Sequence, residues 1–274
     1  MECKLKKVTI NYEVIGTGKP ILMLHGANVD HRLMLGCMEP LFNNREGYQR
    51  IYIDLPGMGK TKGEDFIINS DIMLDVIIEF IEEIIPDQNF LVASESYGGN
   101  LSLGIIHRMG NRVDGLFLLC PALIMDHEKR ELPNHIVLKR DDKLLSTLEP
   151  SDAKGFNSIQ VVHSEKIWDR YNNEILSGVK LADKEFIRRI YEHNKGGFSF
   201  DVNRLKEKFI KPTLILLGRQ DSIVGYKDGW SILDNYPRAT FAVLDRAGHN
   251  LQIEQQELFD SLVTDWLIRI EELE

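Results

Sequence analysis

Short, uninterrupted apolar segments recur along the chain and alternate with stretches whose apolar residues are spaced three or four apart. The apolar segments are "ILMLHG", "RIYIDLPGMG", "NFLVASES", "DGLFLLCPAL", "PTLILLGRQD" and "ATFAVLDRAGHN". A continuous apolar run of this length is typical of a strand buried on both faces. Such strands alternating with helices predict an α/β fold with a mostly parallel, doubly wound sheet. The first segment, "KKVTINYEVIGTGKP", turns at Gly16 and Gly18 and predicts a hairpin.

The helical layers are predicted from the segments between these strands. Helical spacing extends from Asp30 to Phe42, and "SDIMLDVIIEFIEEIIP" predicts a helix that is capped by Ser70 or Asp71 and stops before Pro86. Another helix is expected to begin near Tyr97, and "QQELFDSLVTDWLIRIEELE" predicts an amphipathic helix at the end of the chain.

One long interval breaks this alternation. Residues 123–208 are rich in charges and show no comparable buried strand, but they contain helical patterns around 168–176 and 183–193. We interpret the interval as a helical insertion that lies over the sheet. The insertion divides the predicted core into a first part, residues 1–122, and a second part, residues 209–274.

Charge and cysteine content exclude several classes of protein. The 274 residues include 33 basic and 42 acidic ones, a net charge of −9, which argues against a nucleic-acid-binding surface. No long apolar stretch follows the basic residues at the N-terminus, so no signal peptide is expected, and the apolar runs are too short to span a bilayer. Cys3, Cys37 and Cys120 form neither a disulfide framework nor a CxxC pair, which favours a reducing, cytoplasmic compartment.

Two serines, Ser94 and Ser96, lie where an apolar run ends and a glycine-rich helix is expected to begin. A serine at the tip of a sharp strand-to-helix turn needs small residues two positions away on either side. Those positions are Ser94 and Gly98 for a turn at Ser96, but they include the branched Val92 for a turn at Ser94. Ser96 is therefore the better candidate nucleophile, and the N-terminus of the following helix would favour a developing anion. The alternative is a serine that only caps a helix.

Two further motifs favour the nucleophile. "LDRAGHN" places His249 directly after the last predicted strand, and "LLGRQDSIV" places Asp221 directly after the preceding one. The order serine, acid, histidine is the order of a catalytic triad on such a sheet, and all three residues follow strands at their carboxyl ends. The remaining histidines are interpreted as structural: His25, His31, His107, His127, His135, His163 and His193.

The chain resembles the α/β-hydrolase superfamily. The resemblance covers essentially the whole length outside the insertion and rests on "GTGKPILMLHG", "IDLPGMGKT", "SESYGG", "GRQDSIV" and "AGHN", in that order. It implies that Ser96 is the nucleophile, His249 the general base and acid, and Asp221 the orienting carboxylate. It also implies an oxyanion hole built from the backbone N–H groups of Ala27 and Tyr97. The insertion at residues 123–208, after the sixth core strand, would be a helical lid.

Two departures and one rival residue accompany this resemblance. Ser94 replaces the first glycine of the usual Gly-x-Ser-x-Gly pattern, and Glu95 beside the nucleophile is expected to face solvent. Some relatives carry the acid after the sixth strand, where Asp126 lies in "CPALIMD"; Asp221 is preferred because "GRQDSIV" matches the commoner form.

Three other segments resemble cofactor-binding motifs only superficially. "DLPGMGKT" and "GTGKP" lack features of a phosphate-binding loop, and "HGANVDH" lacks the histidine spacing of a metal site. His25 is interpreted as support for the oxyanion loop. We therefore expect neither a metal nor an organic cofactor. Trp168 and Asn28 are candidate pocket residues, although the apolar residues around Trp168 could equally form the lid's own core.

The predicted activity is that of a serine carboxylesterase acting through an acyl-enzyme on small to medium esters. The same triad could cleave carbon–carbon bonds, lactones, thioesters or amides. A ligand-sensing regulatory protein on the hydrolase fold is the alternative from another class. The expected partner is a small ester-like molecule, with no nucleic acid and no membrane, and homo-oligomerisation is left open.

Overall fold

A computed structural model describes residues 1–273, within which eight strands form one sheet. The order across the sheet is β1-β2-β4-β3-β5-β6-β7-β8, in which β3 to β8 are parallel and β1 and β2 are antiparallel to their neighbours. The strands are β1 (Glu2–Lys4), β2 (Thr9–Ile15), β3 (Lys19–Leu24), β4 (Tyr48–Ile53), β5 (Phe90–Glu95), β6 (Val113–Leu119), β7 (Thr213–Gly218) and β8 (Ala239–Leu244).

The hairpin predicted at Gly16 and Gly18 is wrong, because β2 pairs with β4 and not with β3. The structure instead contains an antiparallel hairpin one strand earlier, between β1 and β2. Both glycines have positive φ. The segment that joins β2 to β3 and contains them lies beside the start of β4, where Lys19 N–H donates to Gly47 O at 2.8 Å. The turn residues were correct as turn signals, but they do not specify which strand lies beside which.

Among residues 1–273, five α-helices accompany the sheet outside the insertion: α1 (Arg32–Met38), α2 (Ser70–Ile84), α3 (Ser96–Met109), α9 (Leu251–Glu254) and α10 (Gln256–Glu271). The helix predicted from Asp30 to Phe42 is α1 followed by a 3₁₀ turn over Glu39–Phe42. The cap of α2 is neither Ser70 nor Asp71, since the Asn69 side chain accepts the N–H of Ile72 at 2.9 Å. Helices on both sides leave β5 wholly buried, as the continuous apolar run predicts.

The long connection between β6 and β7 is helical, as predicted. It contains α4 (Asp142–Thr147), α5 (Pro150–Ile159), α6 (Glu165–Arg170), a π-helical turn (Tyr171–Leu176), α7 (Ser177–Val179) and α8 (Lys184–Glu192). We refer to these six elements as the inserted helices. Asp183 N–H donates to Gly57 O beyond β4, and the ring of Tyr191 lies 6.3 Å from that of Tyr97 in α3. These contacts place the inserted helices over the carboxyl ends of the parallel strands.

No helix within residues 1–273 combines the length and the apolar character that crossing a bilayer requires.

Gly98 allows α3 to approach the end of β3. A Cβ added there would lie 2.5 Å from Leu24 O and 2.6 Å from His25 O, and both of these atoms belong to backbone that cannot rotate away. We therefore expect Gly98→Ala to lower the free energy of unfolding by about 1–3 kcal/mol, as overpacking does elsewhere. Urea denaturation followed by circular dichroism would measure the loss.

The matched control is Gly110→Ala, at the other end of the same helix. An added Cβ at Gly110 would meet only Ile106 Cγ2, at 3.5 Å, which is ordinary contact. We expect this variant to be neutral or slightly more stable than the wild type. Equal unfolding free energies for the two variants would contradict the packing argument.

Candidate active site

β5 passes directly into α3, with Glu95 as the last residue of the strand and Ser96 as the first of the helix. Ser96 has a φ of +50°, a left-handed conformation that is costly for a residue with a side chain. Such strain at a strand-to-helix turn is typical of a nucleophile elbow. Ser94 is accommodated within the strand, where its hydroxyl is buried and donates to Phe117 O at 3.3 Å.

The imidazole of His249 joins the hydroxyl of Ser96 to the carboxylate of Asp221. His249 Nε2 lies 3.0 Å from Ser96 Oγ, and His249 Nδ1 lies 2.9 Å from Asp221 Oδ2. The other carboxylate oxygen of Asp221 accepts the N–H groups of Ile223 at 2.8 Å and Val224 at 3.1 Å. Asp221 is fully buried and held by these three hydrogen bonds, so it fixes the orientation of the ring.

Asp126, the rival candidate for the acid, lies elsewhere. Its carboxylate accepts hydrogen bonds from Lys195 Nζ at 2.9 Å and caps a 3₁₀ turn through the N–H of Glu128. The imidazole contact belongs to Asp221, which we keep as the proposed acid.

The loop after β3 lies against this elbow. A Cβ added at Gly26 would lie 2.9 Å from Ser96 Cβ, so only glycine allows the approach. His25 is fully buried, contacts Gly26 O through Nδ1 at 2.7 Å and accepts Leu55 N–H through Nε2 at 3.0 Å. Burial lowers the pKa of His25, which keeps the ring neutral and suits this pair of bonds. His25 thereby ties the loop that carries Ala27 to the loop beyond β4.

The two predicted oxyanion donors lie on the two segments that meet here, the loop after β3 and the start of α3. Ala27 follows Gly26 in the loop, and Tyr97 is the second residue of α3, whose first N–H groups have no partner within the helix. The Tyr97 side chain points away to Ser70, with 2.8 Å between the two hydroxyl oxygens. The role of Ala27 and Tyr97 as oxyanion donors stays a prediction.

The match to a family model described as Serine aminopeptidase, S33, covers residues 18–256. The chain belongs to this family of α/β-hydrolases. A crystal structure of an α/β superfamily hydrolase from Oenococcus oeni PSU-1 is similar to it with a TM-score of 0.88, at 32% identity and with 99% of each chain covered. The resemblance and the fold class predicted from the sequence are thus confirmed.

Two relatives with more specific names are more distant. The 2-hydroxy-6-oxo-6-(2'-aminophenyl)hexa-2,4-dienoic acid hydrolase of Metapseudomonas resinovorans is 23% identical over 268 residues, which are 96% of this chain and 88% of that protein. The pimeloyl-[acyl-carrier protein] methyl ester esterase of Legionella pneumophila (strain Paris) is 22% identical over 262 residues, 95% of this chain and 100% of that protein.

The expectation that Glu95 faces solvent is wrong for this hydrolase. Its side chain is 3% exposed, and Oε1 lies 3.0 Å from His249 Nε2. The neighbours of β5 extend as far as it does, with Ser94 beside Leu24 and Glu95 beside Leu119, so the end of this central strand is covered. The apolar run marks Glu95 as a strand residue, but its burial depends on how far the neighbouring strands extend.

Cys120 is a second nucleophilic side chain close to Asp221 and His249. It is fully buried with a φ of +41°, and burial raises the pKa of its thiol well above the usual range, with the charges of Asp221 and Glu95 adding to the effect. The thiolate is the reactive form of cysteine. Cys120 therefore contributes packing beneath Asp221, and Ser96 remains the candidate nucleophile.

Glu254 connects the inserted helices of the hydrolase to the loop that carries His249. Its carboxylate accepts the N–H groups of Gly248 at 2.6 Å, Val161 at 2.5 Å and Val162 at 3.2 Å. Burial raises the pKa of Glu254 to about 7, although these three N–H groups favour the charged form. The sequence offered no local signal for this role, because Val161 lies far from Glu254 along the chain.

The two predicted pocket residues are not equivalent. Trp168 is partly buried, and its ring packs at a right angle against Phe156 at 5.3 Å and lies 6.0 Å from Tyr171, within the inserted helices. Asn28 is exposed, with a φ of +65°, directly after Ala27. The packing of Trp168 favours the interpretation that it belongs to the lid's own core. A contact of either residue with substrate stays a prediction.

The pKa of Glu254 makes the stability of the hydrolase depend on pH. Because the folded pKa is raised from 4.5 to about 7, the folded protein holds this proton more tightly than the unfolded chain between those pH values. The resulting stability is present below pH 4.5 and is lost as the pH rises through about 7. Glu254→Gln does not titrate, so the unfolding free energy of the wild type relative to this variant should fall by roughly 1–3 kcal/mol over that range.

Urea unfolding of both proteins at pH 5 and pH 8 measures the effect. Glu257→Gln, which removes an exposed glutamate from α10, serves as the control and should differ from the wild type equally at both pH values. A difference between wild type and Glu254→Gln that does not change with pH would contradict the raised pKa of Glu254.

Proposed function

We propose that this α/β-hydrolase is a serine hydrolase and that its preferred reaction is carboxylic ester hydrolysis on small to medium esters. The observation that carries the proposal is the pair of hydrogen bonds from one imidazole, at 3.0 Å to Ser96 Oγ and at 2.9 Å to Asp221 Oδ2. These distances lie within the range required for proton transfer and for orientation of the ring.

The proposed reaction proceeds in two stages. Ser96 Oγ attacks the substrate carbonyl while His249 Nε2 takes the hydroxyl proton, and Asp221 stabilises the imidazolium that forms. The N–H groups of Ala27 and Tyr97 bind the oxyanion. His249 then gives its proton to the leaving alcohol, which departs and leaves an acyl-enzyme. In the second stage His249 removes a proton from water, which attacks the acyl carbon, and the imidazolium then returns that proton to Ser96 Oγ as the bond from the acyl carbon to Oγ breaks and the acid is released.

Relatives support both the leading reaction and one alternative. The Legionella relative is named a methyl ester esterase, which fits hydrolysis of a carboxylic ester. The Metapseudomonas relative is named as a hydrolase of a dienoic acid, and it favours cleavage of a carbon–carbon bond beside a carbonyl as the second candidate. Lactones, thioesters and amides fit the same triad. We propose that residues 123–208, which contain the inserted helices, form a lid that selects among them.

The three cysteines support one further part of the proposal. Cys3, Cys37 and Cys120 are buried and unpaired with one another, which fits a reducing, cytoplasmic location.

Substitutions in the triad test the proposal. We expect Ser96→Ala to lower kcat/KM for p-nitrophenyl acetate and butyrate by about a thousandfold or more, because no other hydroxyl can replace the nucleophile. Asp221→Asn should cause a loss of about the same order, since the amide disfavours the required imidazole tautomer. Asp126→Asn is the matched control, because it removes a carboxylate outside the site, and we expect it to retain activity.

A substrate panel distinguishes the candidate reactions. The wild type and Ser96→Ala should be compared on esters, thioesters, lactones, aminoacyl amides and diketone-like acids, with product quantified over many turnovers. Highest kcat/KM on esters supports the esterase, whereas highest kcat/KM on the diketone-like acids supports carbon–carbon cleavage. A single slow turnover on every substrate would favour the ligand-sensing alternative. Equal hydrolysis by wild type and Ser96→Ala would overturn the serine mechanism.

A further inference from the structure

One nitrogen of the His249 ring has two polar neighbours at the same distance. Nε2 lies 3.0 Å from Ser96 Oγ and 3.0 Å from Glu95 Oε1. When Nε2 carries a proton, it donates to the carboxylate, which is the stronger acceptor. When Nε2 carries none, it accepts the hydroxyl of Ser96, as the proposed attack requires. The two arrangements exclude each other, so the protonation state of the ring decides whether Ser96 is activated.

Glu95 has little access to water that could weaken this contact. Its side chain is 3% exposed, and its second oxygen, Oε2, lies against Gly26. Ala27, one of the predicted oxyanion donors, is the next residue along. The carboxylate of Glu95 therefore contacts the ring of His249 through Oε1 and lies beside the loop that carries Ala27 through Oε2.

Two carboxylates thus face one imidazole, Asp221 at Nδ1 and Glu95 at Nε2. Burial by itself lowers the pKa of His249, but the two charges outweigh it and raise the pKa to about 10. Burial also raises the pKa of Glu95, against the opposing effect of the imidazolium. The other titratable groups that interact electrostatically with these carboxylates, from the surrounding elements, are Cys37, Cys120, Arg130, Tyr191 and Glu254.

The surrounding groups named above do not neutralise the charge of Glu95, so His249 is its charged partner. Burial raises the pKa of Cys37, Cys120 and Tyr191, so they stay neutral near pH 7. Arg130 is directed to the backbone oxygens of Ile124, Met125 and Ile223.

We propose that Glu95 is a second carboxylate partner of His249, which holds the imidazole protonated in the resting site and so sets the pH above which Ser96 becomes reactive. The inference rests on the proposed function, because it assumes that His249 is the base for Ser96. The proton on Nε2 leaves to water, the neutral ring then accepts the hydroxyl of Ser96, and attack transfers that proton to Nε2 as the bond from Oγ to carbon forms. Glu95 next stabilises the imidazolium, as Asp221 does on the other side.

The test is the pH dependence of Ser96 reactivity in wild type, Glu95→Gln and the control Glu257→Gln. Labelling by a fluorophosphonate and kcat/KM for an ester would be measured from pH 5.5 to 10.5, with the uncatalysed rate subtracted. In the wild type the rate should continue to rise with pH above pH 8, because the neutral form of His249 increases up to its raised pKa. In Glu95→Gln the midpoint should move down by about one to three pH units, which makes the variant about tenfold or more faster at pH 7.

Two further variants keep the result interpretable. Glu95→Asp retains the charge on a side chain one methylene shorter and should show an intermediate midpoint, whereas Glu257→Gln should match the wild type. If Glu95→Gln does not fold, an NMR titration of the His249 ring in the wild type, assigned with His249→Ala, tests the same point. A ring that stays protonated at pH 8 supports the inference, and one that is neutral at pH 7 overturns it.

The failure of this inference is distinguishable from the failure of the proposed function. If the wild type labels at Ser96 but Glu95→Gln has the same midpoint, only the role of Glu95 is wrong. If the wild type is not labelled at any pH, or Ser96→Ala is labelled equally, the serine mechanism itself is wrong and Glu95 has no base to control.

Discussion

β5 enters α3 at Ser96 without an intervening residue, and the left-handed backbone of that serine must be held by everything packed around it. Such a conformation persists only where surrounding contacts outweigh its cost. Here Ser96 O accepts the N–H of Ala122. In addition, Gly26 packs closely against Ser96, and Gly98 packs closely against the backbone at the end of β3. The strain and the small residues are parts of one arrangement, because a larger residue on either side would relax the turn.

The position of the Ser96 hydroxyl at this turn determines which charged groups must surround it. A hydroxyl directed into a buried pocket needs a base, and the base in turn needs a carboxylate to orient it. In this hydrolase the ring of His249 has a carboxylate at each nitrogen, so the imidazolium is stabilised from both sides. Burial of two acids beside one base is costly unless a proton is retained among them. If His249 is the base, as we propose, the two carboxylates that stabilise the protonated ring also oppose the loss of its proton.

Partly buried hydrogen bonds connect the insertion between β6 and β7 to the loop that carries His249. Glu254 accepts N–H groups from Val161 and Val162 on one side and from Gly248, the neighbour of His249, on the other. Their interior has its own aromatic cluster, in which Phe156 is fully buried. The inserted segment thus packs on itself and is hydrogen-bonded through Glu254 to the loop that carries His249. It can therefore affect the position of the ring without touching substrate.

Local patterns were sufficient for the strands and for the sharp turn at Ser96, because continuous apolar runs and small residues at a turn depend on near neighbours. Strand pairing at Gly16 and the burial of Glu95 were mispredicted, since both depend on what lies alongside in the sheet. The sequence alone determined the fold class and which residues are candidates for the reaction. Only the tertiary structure decided that Glu95 and Glu254 lie against the histidine loop, because their partners come from distant parts of the chain and meet only when the sheet and inserted helices pack together.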